Sequence, residues 1–246
     1  MFAIGDIHGC DDLLSALLET IADEGKASGR APLLIFLGDY IDRGPDSRGV
    51  IERLVRVRAE QPDARFLCGN HEEVMLRFLT DFDSGLAWTT YGGKDTMHSY
   101  GVTPPPNKDD LDGWRIAQQA LKAAIPESHM RFLWGLEDRV EVGDYQFVHA
   151  GVRPDRPLHA QSAHDLRWIR EPFLSHGRRL AKTIVHGHTP QTEPFVDACR
   201  IGVDTWAYNT GVLTAVELDD DNRRFLQARR GPDGVAAGLA AVTSDA

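Results

Sequence analysis

The chain has 246 residues, 42% of them apolar, which is enough to bury the core of one α/β domain. Lysine and arginine total 27 against 37 aspartates and glutamates, so the formal net charge is -10. An acidic protein repels polyanions, and this argues against general nucleic-acid binding.

The cysteines and the N-terminal segment favour a reducing compartment. Cys10, Cys68 and Cys199 are widely spaced without a Cys-x-x-Cys pair, so neither a disulfide framework nor a zinc ribbon is indicated. The chain runs directly into a polar motif, with no basic segment and apolar core of a signal peptide, and no stretch approaches the length of about eighteen apolar residues that spans a membrane. We therefore expect a cytoplasmic protein without a membrane partner.

Short apolar runs, each followed by glycine and polar residues, predict buried strands. They lie at residues 2–4, 33–37, 66–68, 147–148 and 184–185. A helical pattern with one apolar face follows each of the first three runs. The first face consists of Leu13, Leu14, Leu17, Leu18 and Ile21, the second of Val50, Ile51, Leu54 and Val55, and the third of Val74, Met75, Phe78, Leu79 and Phe82. A strand, helix and strand repeat predicts a parallel sheet, whose ligands bind beyond the carboxyl ends of the strands.

The pattern changes at residues 81–144, which we interpret as a helical and loop elaboration near the substrate cleft, with a simple packing cap as the alternative. Residues 200–204 and 212–218 are expected to form strands of a second, more antiparallel sheet. We expect one domain over residues 1–230. The remainder, 231–246, is rich in Gly, Ala, Ser and Asp and is predicted to be a flexible tail.

Five short motifs follow the apolar runs in order, and four of them contain histidine. They are 5–9 (Gly-Asp-Ile-His-Gly), 38–44 (Gly-Asp-Tyr-Ile-Asp-Arg-Gly), 69–72 (Gly-Asn-His-Glu), 149–151 (His-Ala-Gly) and 187–190 (Gly-His-Thr-Pro). One such motif would be weak evidence, because loops after strands are commonly rich in Gly, Asp and Asn. Five in one chain indicate a shared site.

The residue types in these motifs are typical of metal ligands. Asp6 and His8 alternate by two, so a strand end would point both side chains the same way and let them share one cation. Asp39 supplies a second carboxylate, which could bridge two cations. Asn70 supplies an amide oxygen, and His149 and His188 supply two imidazoles. Mixed oxygen and nitrogen ligands suit Mn, Fe or Zn better than Ca or Mg. The set fits two ions roughly 3.5–4 Å apart, a spacing at which a bridging water becomes hydroxide near neutral pH.

This ordered set resembles the phosphoprotein phosphatase family within the calcineurin-like metallophosphoesterases, especially its compact bacterial and phage members. The resemblance covers residues 2–218, and its most specific motifs lie in the first 75 residues. It implies a four-layer α-β-β-α sandwich of two mixed sheets, with a two-metal site at the carboxyl ends of the strands. Manganese is the expected metal, with iron and zinc as alternatives.

The resemblance also implies a role for each residue. The first metal would be held by Asp6, His8 and Asp39, and the second by Asp39, Asn70, His149 and His188. His71 would be the general acid, oriented by Asp42. Arg43 and Arg170 would bind the phosphate, the latter through a Trp-x-Arg signature at 168–170. A metal-held hydroxide would attack phosphorus in line, while the arginines spread the oxygen charge and the imidazolium protonates the leaving group.

Three positions depart from the wider pattern. Relatives that cleave diesters often have Gly-His-x-His, whereas Pro190 stands at the last place here, which favours a monoesterase. His186 lies two residues before His188 and is interpreted as a core or supporting residue, with metal contact as the alternative. Trp206 stands where relatives usually have glycine, so the local turn is expected to differ.

Other polar residues are given structural interpretations. Five further histidines lack ligand spacing and are expected at the surface, namely His98, His129, His159, His164 and His176. Glu72 and Glu73 open a predicted helix, where carboxylates stabilise the positive end of the dipole. Cys10 and Cys68 are expected to be packing residues, because neither belongs to a Cys-x5-Arg phosphatase loop.

Three functions remain open at this point. The leading hypothesis is a phosphomonoesterase of the Ser/Thr protein phosphatase type, acting on a phosphorylated protein, peptide or small molecule. The alternative is a symmetrical bis(5'-nucleosyl)-tetraphosphatase, for which Trp88 and Tyr91 could stack an adenine or could simply pack. A non-catalytic phosphate-binding module would require a missing ligand or acid, and none is missing.

Overall fold

A computed structural model describes residues 1–29, 31–219 and 222–240. Its strands are β1 (Phe2–Ile4), β2 (Leu34–Phe36), β3 (Arg65–Phe66), β4 (Arg139–Val142), β5 (Tyr145–Val148), β6 (Thr183–His186), β7 (Phe195–Val196), β8 (Arg200–Gly202), β9 (Val212–Asp219), β10 (Asn222–Gly231) and β11 (Gly234–Leu239). Its α-helices are α1 (Asp11–Ser28), α2 (Ser47–Glu60), α3 (Asn70–Thr80), α4 (Phe82–Gly85), α5 (Gly93–Ser99), α6 (Leu111–Ala124), α7 (Glu127–Trp134), α8 (Ala163–Trp168) and α9 (Ala207–Thr210). Short 3-10 helices span Leu86–Thr90 and Leu158–Ala160.

The first sheet has the strand order β11-β10-β9-β1-β2-β3. β1, β2 and β3 pair in parallel, as predicted, with Ala3 opposite Ile35. β9 runs antiparallel to β1 and places Val216 opposite Ala3. The assignment of 212–218 to the second sheet is therefore wrong. Both faces of β9 are apolar, with Leu213 towards the helices and Val216 towards the other sheet, so its pattern suits the middle of either sheet.

The second sheet has the order β4-β5-β6-β8-β7. β5, β6 and β8 are parallel, and the edge strands β4 and β7 are antiparallel to their neighbours. Alternate residues face the first sheet, among them Phe147, Val185 and Ile201, while Val148 and Ile184 face the opposite side. Helices cover the outer faces of both sheets, and the predicted α-β-β-α arrangement with two mixed sheets is confirmed.

The helices form where apolar residues recur at helical spacing. In α1 the buried face contains Leu13, Leu14, Leu17 and Ile21, as predicted, and in α2 it contains Val50, Ile51 and Leu54. Within the described ranges, every helix is too short or too polar to span a lipid bilayer.

Residues 231–240 differ from the predicted flexible tail. β11 pairs with β10 over six residue pairs, and Val235 and Ala237 pack against the core beside α1. The small side chains that weaken the apolar signal still allow a complete backbone ladder, and the ladder orders the segment. Residues 241–246, the rest of the predicted tail, lie outside the described ranges.

His129 is not at the surface, contrary to the prediction. Its ring is fully buried on α7, 2.9 Å from Tyr100 Oη and 2.9 Å from Glu52 Oε2. A buried imidazole is tolerated when both ring nitrogens find partners, and these partners come from α2 and from the segment after α5. Sequence spacing cannot reveal this arrangement because the three residues are distant in the chain.

Candidate metal centre

Asp39 lies in the middle of the candidate site, on the loop after β2. Its Oδ2 lies 3.6 Å from His8 Nε2, and its Oδ1 lies 3.4 Å from His149 Nε2. Potential ligand atoms of Asp39, His8 and His71 all lie within 4.8 Å of one another, and so do those of Asp39, His149 and His188. Because the two groups share one carboxylate, whose oxygens face different imidazoles, the geometry fits a bridging ligand between two cations.

Backbone carbonyl groups hold two of these imidazoles in place. His8 Nδ1 donates to Ile41 O at 2.8 Å, and His149 Nδ1 donates to Leu37 O at 2.8 Å. With Nδ1 occupied in each ring, Nε2 is left pointing at Asp39. Metal-binding histidines generally show this arrangement, in which the second nitrogen is fixed by a backbone or carboxylate oxygen.

Asn70 and His188 complete the second group. Asn70 Oδ1 lies 2.9 Å from His149 Nε2 and 2.8 Å from His188 Nδ1, so one amide oxygen meets two imidazoles. The other nitrogen of His188, Nε2, is buried and has no hydrogen-bond partner among the described residues. A buried imidazole nitrogen without a partner is unfavourable in a protein alone, and it is the atom type that divalent transition metals bind.

Asp6 lines the same cavity but stands outside both groups. Its carboxylate oxygens accept the backbone N–H of His188 at 3.2 and 3.0 Å. Gly187 makes this approach possible, because a Cβ on that residue would lie 1.9 Å from Asp6 Oδ1. The glycine of the Gly-His-Thr-Pro motif therefore brings the end of β6 against the end of β1.

The backbone is strained at this site. Six non-glycine residues of the described ranges have positive φ, namely His8, Asp39, Asp42, Arg43, His188 and Trp206. Such conformations cost about 1–3 kcal/mol each and persist only where the surroundings enforce them, and they are concentrated at functional sites. Five of the six are predicted site residues.

His71 forms a buried pair with Asp42. Its Nδ1 donates to Asp42 Oδ2 at 2.6 Å, and the same carboxylate accepts from Trp88 Nε1 at 2.8 Å and from Thr96 Oγ1 at 2.6 Å. Burial lowers the pKa of His71, but the charge of Asp39 and the hydrogen bond to Asp42 outweigh it and raise this pKa to about 9. The protonated Nε2 faces Asp39 Oδ2 at 3.9 Å. The helical elaboration thus contributes two of the side chains that hold Asp42.

Two arginines lie at the cavity, which has a volume of about 230 Å³. Arg43 Nη1 donates to Tyr208 Oη at 3.1 Å, and Arg170 Nη2 donates to His188 O at 3.3 Å. Each guanidinium makes this one hydrogen bond within the described part of the chain, so its other N–H groups are available to an anion. Planar guanidinium groups match phosphate geometry.

The carboxylates repel one another in the absence of bound cations. Burial raises the pKa of Asp6 well above its usual value, and the charges of Asp204 and Asp39 add to the shift. Burial also raises the pKa of Asp204 to about 6. Burial acts on Asp39 in the same direction, but the charges of His149 and His71 hold the pKa of Asp39 well below its usual value. Divalent cations would offset this repulsion, so the residues present fit a metal centre.

Glu72 does more than stabilise a helix end. Its buried carboxylate accepts the backbone N–H groups of Gly69, Asp39 and Tyr40 at 3.0, 2.9 and 2.8 Å. It therefore fixes the strained loop that carries Asp39 against the start of α3. The capping-box spacing, a carboxylate three residues after Gly69, is the sequence signal for the local contact, but the contacts with the loop after β2 are not visible in the sequence.

Glu73 links α3 to α8. It accepts from Trp168 Nε1 at 3.1 Å and from Arg167 Nη1 at 3.3 Å. These contacts anchor the segment that ends at Arg170. Asp204, with 6% exposure, is a further cavity residue that the sequence reasoning missed, because it precedes no recognised motif.

The structure also places the other residues that the sequence analysis singled out. His186 is buried but lies outside both ligand groups, which agrees with its interpretation as a core residue. Trp88 is fully buried and packs, whereas Tyr91 is 49% exposed and lines the cavity. Pro190 and Trp206 also line it.

The chain belongs to the calcineurin-like phosphoesterases, because the model of that family matches residues 2–238. This confirms the predicted family and makes the protein a metallophosphoesterase, a hydrolase whose family uses a dinuclear metal centre that the cluster of His and Asp residues fits. The asymmetrical bis(5'-nucleosyl)-tetraphosphatase PrpE of Geobacillus thermodenitrificans is 28% identical over 88% of this chain and 89% of the relative. A symmetrical bis(5'-nucleosyl)-tetraphosphatase of an Acidovorax species is 31% identical over 63% of this chain and 44% of the relative.

Solved structures show the same fold. One assigned provisionally as a diadenosine tetraphosphatase has a TM-score of 0.60 and 21% identity, covering 97% of this chain and 92% of the other. A mutant of a cold-active protein tyrosine phosphatase has a TM-score of 0.51 and 16% identity, covering 97% of this chain and 79% of the other. Similarity at this level of identity concerns the fold alone.

Proposed function

We propose that the protein hydrolyses dinucleoside polyphosphates with two metal ions bound by Asp6, His8, Asp39, Asn70, His149 and His188. The position of Asp39, with each oxygen facing a different imidazole, carries the two-metal part of the proposal. Manganese is the proposed metal, with iron or zinc as alternatives, because carboxylate, amide and imidazole ligands are combined. When bound, the cations supply charge stabilisation for the phosphoryl oxygens and make water acidic enough to attack near neutral pH.

The chain's own side chains would perform the other steps. Arg43 and Arg170 would bind the oxygens of the phosphate under attack, since both line the cavity with free N–H groups. His71 would donate the proton on Nε2 to the leaving oxygen, and the bond from its Nδ1 to Asp42 would hold the ring in the required orientation. The charge of Asp42 would also favour the protonated imidazole.

Two observations support a dinucleoside polyphosphate as the substrate. The relatives named above as tetraphosphatases include one that aligns over 88% of this chain. The cavity is also lined by the aromatic side chains of Tyr91, Trp168, Trp206 and Tyr208, beside the two arginines. The arginines would bind the polyphosphate of such a substrate, and the aromatic rings would lie beside its planar bases.

A phosphoprotein phosphatase is the second candidate, as the leading hypothesis from the sequence. Pro190 favours it, because this residue lines the cavity at the place where many diesterases carry a second histidine. A monoesterase needs no group beyond the phosphate-binding arginines and the proton donor. The two candidates share all the proposed metal ligands and differ in what the rim of the cavity contacts.

Turnover of two substrates separates these candidates. Purified protein is stripped with a chelator, reloaded with Mn²⁺, Zn²⁺ or Fe²⁺, and assayed with diadenosine tetraphosphate and with a phosphoserine peptide. We expect activity only after reloading, and a preference for diadenosine tetraphosphate above tenfold in kcat/KM, or about 1.4 kcal/mol. Chromatography of the products distinguishes two ADP from AMP plus ATP. A preference for the peptide would replace the proposed substrate, and full activity of the stripped protein would contradict the metal centre.

A further inference from the structure

Trp206 combines an unfavourable backbone with an exposed aromatic ring at the cavity. Its φ is +61°, in the left-handed region that large side chains rarely adopt, and its side chain lines the cavity with 36% of the residue exposed. A conformation of this kind costs about 1–2 kcal/mol compared with the right-handed one. Glycine would remove the strain, so the indole itself needs an explanation.

The surrounding backbone holds Trp206 in this conformation. Its N–H donates to Asp204 Oδ1 at 2.9 Å, and its carbonyl oxygen accepts from the N–H groups of Asn209 at 2.8 Å and Thr210 at 2.9 Å. Thr210 Oγ1 also donates to Thr205 O at 2.7 Å. The turn is thus fixed on both sides of the strained residue, so the Cα–Cβ bond of Trp206 has a defined direction.

The neighbouring Tyr208 does not offer the same surface. Its ring carries the Arg43 guanidinium at 5.2 Å from the ring centre, and it meets the His8 ring edge-on at 5.2 Å. The Trp206 ring touches Tyr208 only edge to face, at 6.2 Å between ring centres. Within the described ranges no group accepts a hydrogen bond from Trp206 Nε1, and no cation lies over its ring. Of these two neighbouring rings, Tyr208 carries a guanidinium and Trp206 does not, so the indole of Trp206 is open to a ligand in the cavity.

We propose that Trp206 is a base-binding residue, whose indole stacks on the purine or pyrimidine ring of the nucleotide that carries the phosphate under attack. This inference rests on the proposed function and adds a specificity-determining residue to it. Arg43 and Trp206 line one cavity, so a nucleotide can place its phosphate at the arginine and its base at the indole. Every nucleobase has a planar face, so the contact selects nucleotides over phosphopeptides without selecting one base.

The test compares the affinities for AMP and for inorganic phosphate. Both are measured by isothermal titration calorimetry on the full chain loaded with Mn²⁺, and their ratio isolates the contribution of the nucleoside. Stacking of one base on an aromatic ring corresponds to roughly 5- to 150-fold in affinity. We expect Trp206→Gly to reduce the AMP-to-phosphate ratio by a factor in this range, and Trp206→Phe to retain most of it. Glycine adopts the positive φ without strain, so loss of the ring is separated from loss of the fold.

Trp134→Ala is the matched control, because Trp134 is 59% exposed and lies outside the lining of this cavity. We expect it to leave the ratio unchanged. A ratio that Trp206→Gly changes by less than twofold overturns the inference, and so does a wild-type protein that binds AMP no more tightly than phosphate. Hydrolysis of diadenosine tetraphosphate by the wild-type protein decides the proposed function separately. If the wild-type protein hydrolyses diadenosine tetraphosphate but Trp206→Gly leaves the AMP-to-phosphate ratio unchanged, the proposed function stands and the base contact is refuted. If Trp206→Gly reduces the ratio but the wild-type protein does not hydrolyse diadenosine tetraphosphate, the base contact stands and the proposed function is refuted.

Discussion

Two buried histidines near the end of β6 lie in contrasting regions. His186 ends the strand on the outer side of the second sheet, where Nδ1 donates to Gly187 O at 2.9 Å and Nε2 accepts from Arg200 Nη1 at 3.1 Å. His188, two residues later, points into the cavity between the strand ends, where its Nε2 has no partner in the described part of the chain. Both residues are buried, but only one has an unused nitrogen.

This contrast shows that burial does not by itself identify a metal ligand. Burial lowers the pKa of His186 to about 3 and that of His188 to about 2, so both imidazoles are neutral at pH 7. A neutral imidazole binds a cation through an unprotonated ring nitrogen that faces the other ligands, and His188 belongs to a group with Asp39 and His149 whereas His186 does not. The backbone differs as well, since His188 has a φ of +62° whereas His186 keeps strand geometry.

The largest effect is expected for Asp39→Asn, which alters the carboxylate shared by both ligand groups. Loss of its charge weakens both metal sites, and we expect turnover to fall by more than about 10⁴-fold as several kcal/mol of charge stabilisation from each ion is lost. Elemental analysis of the purified variant should show less than one metal ion per chain. Asp83→Asn is the control, as an exposed carboxylate on α4. Two fully occupied sites in Asp39→Asn would contradict the bridging role.

His71→Asn should separate proton donation from metal binding. We expect its turnover to fall roughly 10²- to 10⁴-fold, because the leaving oxygen loses its proton donor. Metal content, measured on the same preparation, should match that of the wild-type protein. His98→Asn provides an exposed histidine as control. Loss of both metal ions from His71→Asn would show that this residue is a ligand, as its 3.9 Å distance to Asp39 Oδ2 also permits.

A direct test of the comparison uses His186→Leu and His188→Leu. The first should keep two metal ions but lower the free energy of unfolding by about 1–3 kcal/mol, because the buried Arg200 loses its acceptor. The second should lose metal with a smaller change in stability of the metal-free protein. Urea titration and elemental analysis measure both quantities. Metal loss in His186→Leu with retention in His188→Leu would reverse the assignment.

The smallest effect concerns the strain around the cavity. Because Trp206 has positive φ, Trp206→Gly should be more stable than Trp206→Ala by about 1 kcal/mol, the reverse of the usual order of these residues. Thermal unfolding of the two variants gives this difference without any ligand. Equal stability, or a more stable alanine variant, would mean that the turn relaxes when the indole is removed.

Local patterns allowed much of the fold to be predicted from the sequence. The βαβ repeat, the apolar faces of α1 and α2 and the two-sheet arrangement follow from hydrophobic spacing and from the resemblance of the motifs, and the structure agrees. The loops after β1 and β2 meet because the carboxyl ends of neighbouring parallel strands share one edge of a sheet. The loop after β6 joins them from the second sheet, where the His188 N–H donates to Asp6. The roles assigned to the individual site residues remain predictions.

Other features depend on residues that are distant in the chain. The pattern of β9 could not reveal its sheet, and the partners of His129 come from α2 and from the segment after α5. The contacts of Glu72 and Glu73 with the site are likewise formed only after folding.

Residue types and spacing were sufficient to indicate which side chains could bind metal and phosphate, because that chemistry depends on the nature of each group. Other properties depend on contacts between separate segments. They are the free nitrogen of His188, the positive φ of residues such as Trp206, and the exposure of the Trp206 ring in the cavity. Those properties arise when burial removes water and each polar group must find a partner in the protein, so they were decided by the packing of the two sheets and their loops.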